Sequence, residues 1–511
     1  MHKTASSRGR TSDRSLSHSI SSAAAGTVRT IRAQDWLRIY DSPLALPLIL
    51  VLTFAVFAPT LWTWFRADDF WLLESAKATP GGTFIGQAFD YRDFRPVPQF
   101  HFYRPFYVIT FWLSYQAFGL HAVYYHLLNL VLHLVCVVLV WFVVRRLAAS
   151  VLAANFAALI FALHPAYTET VGWIARGNTI MTTFVYLLTM LAFMNYLDGG
   201  RRRMLYYTAS VVGFIVAILY HTTAVTLVAV LPAYTFLMAR KPAEALNVRS
   251  WLPFAPLLVM AAFMAAIQRH AGLDQGLRIG WHQYEHAGQY LGLALFPFLP
   301  EDWTRAQLPR EALLPDLYIL SSLVMIAATL FLLDRRQWPY RGVFAVVWLF
   351  ALIAPSTTTI LTIYLTGGVP AHLYLPGTSL GLFFFLVARH TGEILPSVIA
   401  RRIVPYLPVL VIGLLVAFVL LGLSHEERLR AQTRANHAFL MTLRETLPPP
   451  TPGATLYVSG TPFNLVVFNN NALNAAIRLY YGDVNVQRVS LEKAREIKAA
   501  DPTQLVFDYE P

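Results

Sequence analysis

Two adjacent carboxylates, Asp68 and Asp69, follow at once on a nearly continuous apolar stretch, in the run Trp64-Phe65-Arg66-Ala67-Asp68-Asp69-Phe70-Trp71. Neighbouring acids repel each other and gain little from burial, so packing alone gives no reason to set them against a wall of aromatic rings. A carboxylate is a suitable general base. Further along stand Arg95, Arg104 and Arg176, the imidazoles of His164, His221 and His372, and Glu169 and Tyr374. Arginine binds anionic oxygens through paired hydrogen bonds. The chemistry these types serve is the removal of a proton beside a bound anion.

The elements that must position these groups are membrane helices. The chain has 511 residues, 56% of them hydrophobic and 13% charged, about half the charge of a soluble domain. Apolar runs of about 20 residues, the length that crosses hydrocarbon, recur at 44–64, 123–144, 151–164, 177–197, 204–220, 221–239, 251–268, 316–333, 342–360, 373–388 and 403–423. The expected fold is therefore an all-α polytopic membrane protein with about 11 spans. The segment 286–300 is treated as re-entrant or interfacial.

The net charge of +12 does not point to nucleic acid, because no basic module interleaved with aromatics is present. The basic residues sit in short clusters, Arg145-Arg146, Arg201-Arg202-Arg203, Arg240-Lys241, Arg335-Arg336 and Arg401-Arg402, all on one side of the expected spans. By the positive-inside rule that side and the N-terminus are cytoplasmic, and an odd number of spans leaves the C-terminus outside. Residues 1–43, rich in Ser and Arg, are expected to be a disordered basic cytoplasmic tail. The single cysteine, Cys136, lies in an apolar run and excludes an intrachain disulfide.

With this topology, 44–423 forms the transmembrane domain, with a first outer loop at 65–122. Residues 424–511 form a small extracytoplasmic α/β domain, with candidate strands in ATLYVSG, FNLVVF, VNVQRV and QLVFDY and a helix near 471–480. All ten candidate residues fall at outer helix ends or in outer loops. A transporter would hold its polar groups near the midplane.

Three motifs carry a resemblance: the Asp68-Asp69 pair; FYRPFYVITFWLSYQAFGLHAVYYHLLNLVLHL, from Phe102 to Leu134; and LIFALHPAYTETVGWIARGNTIM, with His164-Pro165, Thr168-Glu169 and Arg176. Together they resemble the membrane half of the GT-C glycosyltransferases, and within these the branch of the transmembrane-and-tetratricopeptide-repeat O-mannosyltransferases and their bacterial relatives. HLYLPGTSLGLF (372–383) is similar to that branch too. The resemblance covers roughly 44 to 425. No tetratricopeptide repeat follows the spans, Tyr220-His221-Thr222 stands where that branch has Ser-Lys-Glu, and Gly177-Asn178 follow Arg176.

The resemblance implies transfer of one sugar from a polyprenyl-phosphate-linked donor, outside the cytoplasmic (inner) membrane and with inversion, to an acceptor that is a protein, a lipid or a glycan. It implies a base, for which Asp69 is the first choice and Asp68 the second. It also implies cations for the departing phosphate, from Arg104, Arg95 and Arg176. Glu169 would order the catalytic loop, His372 and Tyr374 would line the donor groove, and His164 and His221 are further substrate-side candidates. His126, Asn129 and His133 share one helical face and are expected to hydrogen-bond between helices. His282, Glu285 and His286 lack a fourth ligand, so no metal and no cofactor is expected. The rival function is a non-catalytic lipid-linked-glycan transporter or an assembly scaffold.

Overall fold

The computed structural model describes residues 41–90, 103–240, 242–270, 287, 290–295, 297, 310–333, 339–355, 371–394, 406–462, 465 and 471–509. Arg95, the tail 1–40, the His282, Glu285 and His286 group, most of the loop 361–372 and most of the candidate strand FNLVVF lie outside these residues.

The apolar runs are helices. In chain order these are α1 (Ala45–Phe57), α2 (Asp68–Ala78), α3 (Gly81–Phe89), α4 (Pro105–Phe118), α5 (Ala122–Ala148), α6 (Val151–Leu163), α7 (Thr168–Gly172), α8 (Gly177–Asp198), α9 (Arg203–Tyr220) and α10 (Leu227–Tyr234). They are followed by α11 (Ala255–His270), α12 (Arg310–Leu333), α13 (Pro339–Ile353), α14 (Tyr374–Ile394) and α15 (Leu407–Thr446). Among the described residues, 7 helical runs are long and apolar enough to cross a membrane, or 8 if the pair Val151–Leu163 and Pro165–Gly172, bent by 50°, counts as one span. The chain is a multi-pass membrane protein. The bend has a local cause: Pro165 disfavours a helical conformation at His164, which is extended at φ −64° and ψ 120°.

Small residues let the helices approach. Ala153, Ala154, Ala157, Ala158 and Ala162 of α6 are fully buried. A Cβ on Gly381 of α14 would lie 2.3 Å from the Ala157 Cα, so α6 and α14 meet backbone to backbone, as membrane helices do where side chains are small. Ser150 caps α6 by accepting the Ala153 N–H at 3.2 Å.

α15 has 40 residues, about 60 Å at 1.5 Å per residue and twice the hydrocarbon thickness. One rod therefore crosses 423–424 and carries the C-terminal domain. That domain is a parallel sheet of β1 (Ala454–Ser459), β2 (Val484–Arg488) and β3 (Leu505–Asp508) in the order β2-β1-β3. Ala454 pairs with Val484 and Leu456 with Leu505. Helices α16 (Asn471–Tyr480) and α17 (Leu491–Ala500) connect the strands.

The domain shares a core with the first loop. Leu440, Leu456, Leu473, Ala476 and Ile477 join Phe65, Phe70, Leu72 and Leu73 in one buried cluster. Trp64 meets the rings of His437 and Tyr480 at 4.7 and 5.2 Å, and Arg478 of α16 pairs with both carboxylate oxygens of Glu74 on α2. The helix that begins with Asp68 and Asp69 is thus packed between the membrane bundle and the C-terminal domain.

Candidate active site

Asp68 and Asp69 are the first two residues of α2, where acidic side chains favour the helix N-terminus. Ala67 before them has φ 43° and ψ −115°, a conformation that a residue with a Cβ holds only when its surroundings impose it. One such restraint is local: Asp69 Oδ2 accepts the Arg66 N–H at 2.9 Å. Asp69 Oδ1 accepts the Ala175 N–H at 2.7 Å. Both oxygens of Asp69 are therefore bound to backbone, and its side chain is fully buried. Asp68 is only partly buried, and its charged neighbours are Arg176 and Arg66.

Burial lifts both carboxyls. Asp68 rises to about 6 against the pull of Arg176 and Arg66. Asp69 rises to about 7 against its two backbone donors and Arg66. Losing water penalises the charged form.

The segment 173–176 is held from three sides. Ala175 donates to Asp69, the Tyr107 hydroxyl of α4 donates to the Ala175 carbonyl at 2.6 Å, and Asn129 Nδ2 of α5 donates to the Trp173 carbonyl at 3.3 Å. Gly177 allows the last contact, since a Cβ there would stand 2.7 Å from Asn129 Oδ1. The buried Trp173 ring carries two guanidiniums, Arg66 at 4.4 Å and Arg176 at 4.6 Å from its centroid, the geometry of cation–π attraction. Arg66 Nη2 also meets Glu169 Oε1 at 3.4 Å. Burial lowers the Arg66 guanidinium while Glu169 and Asp69 hold it up.

A basic side faces these acids. Arg104, at the start of α4, is pushed down to about 10 by burial, with Arg176 as a charged neighbour; it stays protonated at neutral pH. His221 Nδ1 accepts the Thr223 N–H at 3.2 Å, and its ring centroid lies 6.4 Å from that of His372. Burial pushes His372 down to about 3, and Arg176 and Arg104 add to this, so its ring is neutral at pH 7. Beside the cluster lies a cavity lined mainly by apolar groups, among them Phe111, Leu128, Leu132 and Ile174, with Tyr107, Tyr125, Tyr220 and the amide of Asn129.

Of the ten residues singled out in the sequence, Asp68, Asp69, Arg104, Glu169, Arg176, His221 and His372 come together here. His164 is used elsewhere: Nδ1 accepts the Ala166 N–H and Nε2 meets the Ala294 carbonyl, both at 3.2 Å. Tyr374 is a core residue whose hydroxyl meets His133 Nδ1 at 2.7 Å. Arg95 lies outside the described residues. Of the stripe on α5, Asn129 and His133 bond to neighbouring segments, whereas His126 is buried with no hydrogen-bond partner among the described residues. Arg66, Tyr107 and Trp173 join the site without having been singled out. Arg66 and Trp173 lie inside the quoted motifs, two residues before Asp68 and three before Arg176. Among the described residues, no three His, Cys, Asp or Glu side chains converge as metal ligands do.

No protein-family model matches the chain. A stretch of 185 residues is 31% identical to the protein O-mannosyl-transferase Tmtc2 of Drosophila melanogaster, covering 34% of this chain and 20% of that one. Over 95 residues the chain is 36% identical to Tmtc1 of the same organism, which covers 19% of this chain and 11% of that one. Over 99 residues it is 34% identical to human TMTC1, again 19% and 11%. The chain resembles protein O-mannosyl-transferases. It spans a fifth or less of the length of these relatives. Among solved structures, ArnT from Cupriavidus metallidurans bound to undecaprenyl phosphate aligns over 90% of this chain and 89% of that one, at 12% identity and a TM-score of 0.47.

Proposed function

We propose that the chain is an integral-membrane glycosyltransferase that moves a single sugar from a polyprenyl-phosphate carrier to an acceptor outside the cytoplasmic membrane, with inversion at the anomeric carbon. The observation that carries this reading is the division of labour between the two acids. Asp69 is committed to the Arg66 and Ala175 amides, whereas Asp68 is partly open and has Arg176 as a charged neighbour.

In this reading Asp68, rather than the first choice Asp69, is the base. It takes the proton of an acceptor hydroxyl as that oxygen attacks the anomeric carbon, and the carbon–oxygen bond to phosphate breaks. The electron pair goes to the phosphate, whose growing charge Arg176 and Arg104 offset. His221 and His372 complete the phosphate side, and the cavity beside Tyr107 takes the first prenyl units. Glu169 acts through Arg66 to order the loop. The basic clusters Arg145-Arg146 and Arg201-Arg202-Arg203 lie at the helix ends away from this site, which supports reading the site as external with the N-terminus inside.

The test uses the purified full chain in lipid nanodiscs with short-chain polyprenyl-phosphate sugars, reading release of polyprenyl phosphate. Release by the native chain and its loss in Asp68→Asn, with donor binding retained, is the expected result. No binding of any donor would overturn the proposal in favour of a transporter or scaffold.

A further inference from the structure

Two buried ionisable groups near the site have unfilled hydrogen-bonding capacity. Glu426, on α15, is 1% exposed, and neither carboxylate oxygen has a hydrogen-bond partner among the described residues. Arg66 is 8% exposed; its Nη2 meets Glu169, while Nε and Nη1 have no partner among the described residues. The charged groups acting on Glu426 are Arg430 and Arg66. Arg430 pairs on the exposed side with Glu427. Buried polar groups are rarely left unsatisfied without a reason, and a lone carboxylate on a membrane helix is costly.

The same helix face reaches the loop twice more. Thr433 Oγ1 accepts the Trp64 N–H at 3.2 Å, and Asn436 Nδ2 donates to the Phe65 carbonyl at 3.4 Å. Positions 426, 433 and 436 are spaced by 7 and 3, which places them on one side of an α-helix. Gly172 lets this face come close: a Cβ there would stand 3.3 Å from Glu426 Oε1 and 3.1 Å from Leu429 Cδ1. The loop that α15 grips ends at Ala67, whose positive φ needs external restraint.

We infer that the last long helix is the brace that holds residues 64–67 and so aims Asp68, through Thr433 and Asn436 on the loop backbone and through Glu426, a positioning residue set against Gly172. This rests on Asp68 being the reacting acid. It assigns to the helix that carries the C-terminal domain a direct part in shaping the site. Movement of that domain would then reach Asp68 through α15.

The experiment compares the native full chain in lipid nanodiscs with Glu426→Gln, with Thr433→Val as a second variant that removes only a loop contact, and with Glu427→Gln as the exposed control. Hydrogen exchange is read by mass spectrometry, together with kcat and KM for polyprenyl-phosphate release. In Glu426→Gln and Thr433→Val the amides of 64–70 should exchange about tenfold faster, with α5 and α6 unchanged. kcat should fall about tenfold or more, with KM for the donor within about twofold. Glu427→Gln should match the native chain. Exchange at 64–70 that is unchanged, or raised equally throughout, overturns the inference, as does a defect confined to KM. If the native chain releases no polyprenyl phosphate, the proposed function fails and exchange alone decides this inference.

Discussion

Asp69 Oδ1 accepts the backbone N–H of Ala175 at 2.7 Å across 106 residues of sequence. This bond ties the start of α2 to the segment that carries Trp173 and Arg176. With the Arg66 N–H on Oδ2, it gives Asp69 a structural task, and the proposed function assigns the base to Asp68. The two variants should therefore fail differently. Asp68→Asn should lower turnover by about 10²–10⁴ while leaving the melting temperature and donor affinity near native. Asp69→Ala should leave two buried amides without acceptors, a loss of about 1–3 kcal/mol for each such group, seen as a lower melting temperature. Native-like stability for Asp69→Ala would show that the loop does not depend on this side chain.

The pH dependence has a definite sign. Burial raises the Asp68 carboxyl to about 6, so it is protonated and unable to accept a proton below that pH. Release of polyprenyl phosphate should rise through about pH 6 and fall about tenfold for each pH unit below it. The same titration acts oppositely on folding. A carboxyl raised in the folded state binds its proton more tightly there, so its contribution to stability declines as pH climbs from its ordinary value through the raised one. A flat rate profile between pH 5 and 7 would remove Asp68 from the role of base.

Trp173 should matter out of proportion to its distance from any reacting atom. Its ring carries both Arg66 and Arg176, and each such contact is worth about 1–2 kcal/mol when shielded from water. Trp173→Leu keeps an apolar side chain but removes the platform. Donor affinity should weaken by about tenfold, measured by calorimetric titration in nanodiscs. Unchanged affinity would mean that Arg176 is placed by other contacts.

The bundle that supports the site depends on the contact of α6 with α14. Gly381→Ala would set a Cβ 2.3 Å from the Ala157 Cα, and backbone cannot move aside as a flexible side chain does. Overpacking of this kind costs about 1–3 kcal/mol, to be read as a lower unfolding temperature in detergent. Gly413, where a Cβ would meet nothing within 4 Å, is the matched control and should tolerate alanine.

A link between the domain and the loop can be tested in the same way. Arg478 and Glu74 are partly exposed, with side chains 34% and 23% accessible, so the pair adds little to overall stability. Arg478→Glu should nevertheless increase proteolytic nicking near residue 450, by placing two like charges at the contact. Restoration by Glu74→Arg in the same chain is the expected result, and failure to restore it would show that the pair does not hold the domain in place.

The sequence by itself determined the membrane class, the places of the helices and the gathering of polar residues in three motifs. Hydropathy and charge patterning act locally: about 20 apolar residues must be helical in lipid whatever surrounds them. It also determined the inward face that Asn129 and His133 share on α5, because spacing along a helix fixes which residues share a face. What only the tertiary structure decided is where neighbouring side chains point and what they meet. Asp68 and Asp69 are the same residue type one position apart, yet α2 turns one toward the Arg66 and Ala175 amides and leaves the other partly open. His164 and Tyr374 looked like site residues because their motifs adjoin it, but the bend at Pro165 and the packing of α14 spend them on Ala294 and His133. Glu426 gave no local signal, because a carboxylate in a charged helical stretch looks solvated until the fold buries it against Gly172. Burial and direction are set largely by partners more than a hundred residues away, and no local pattern encodes them.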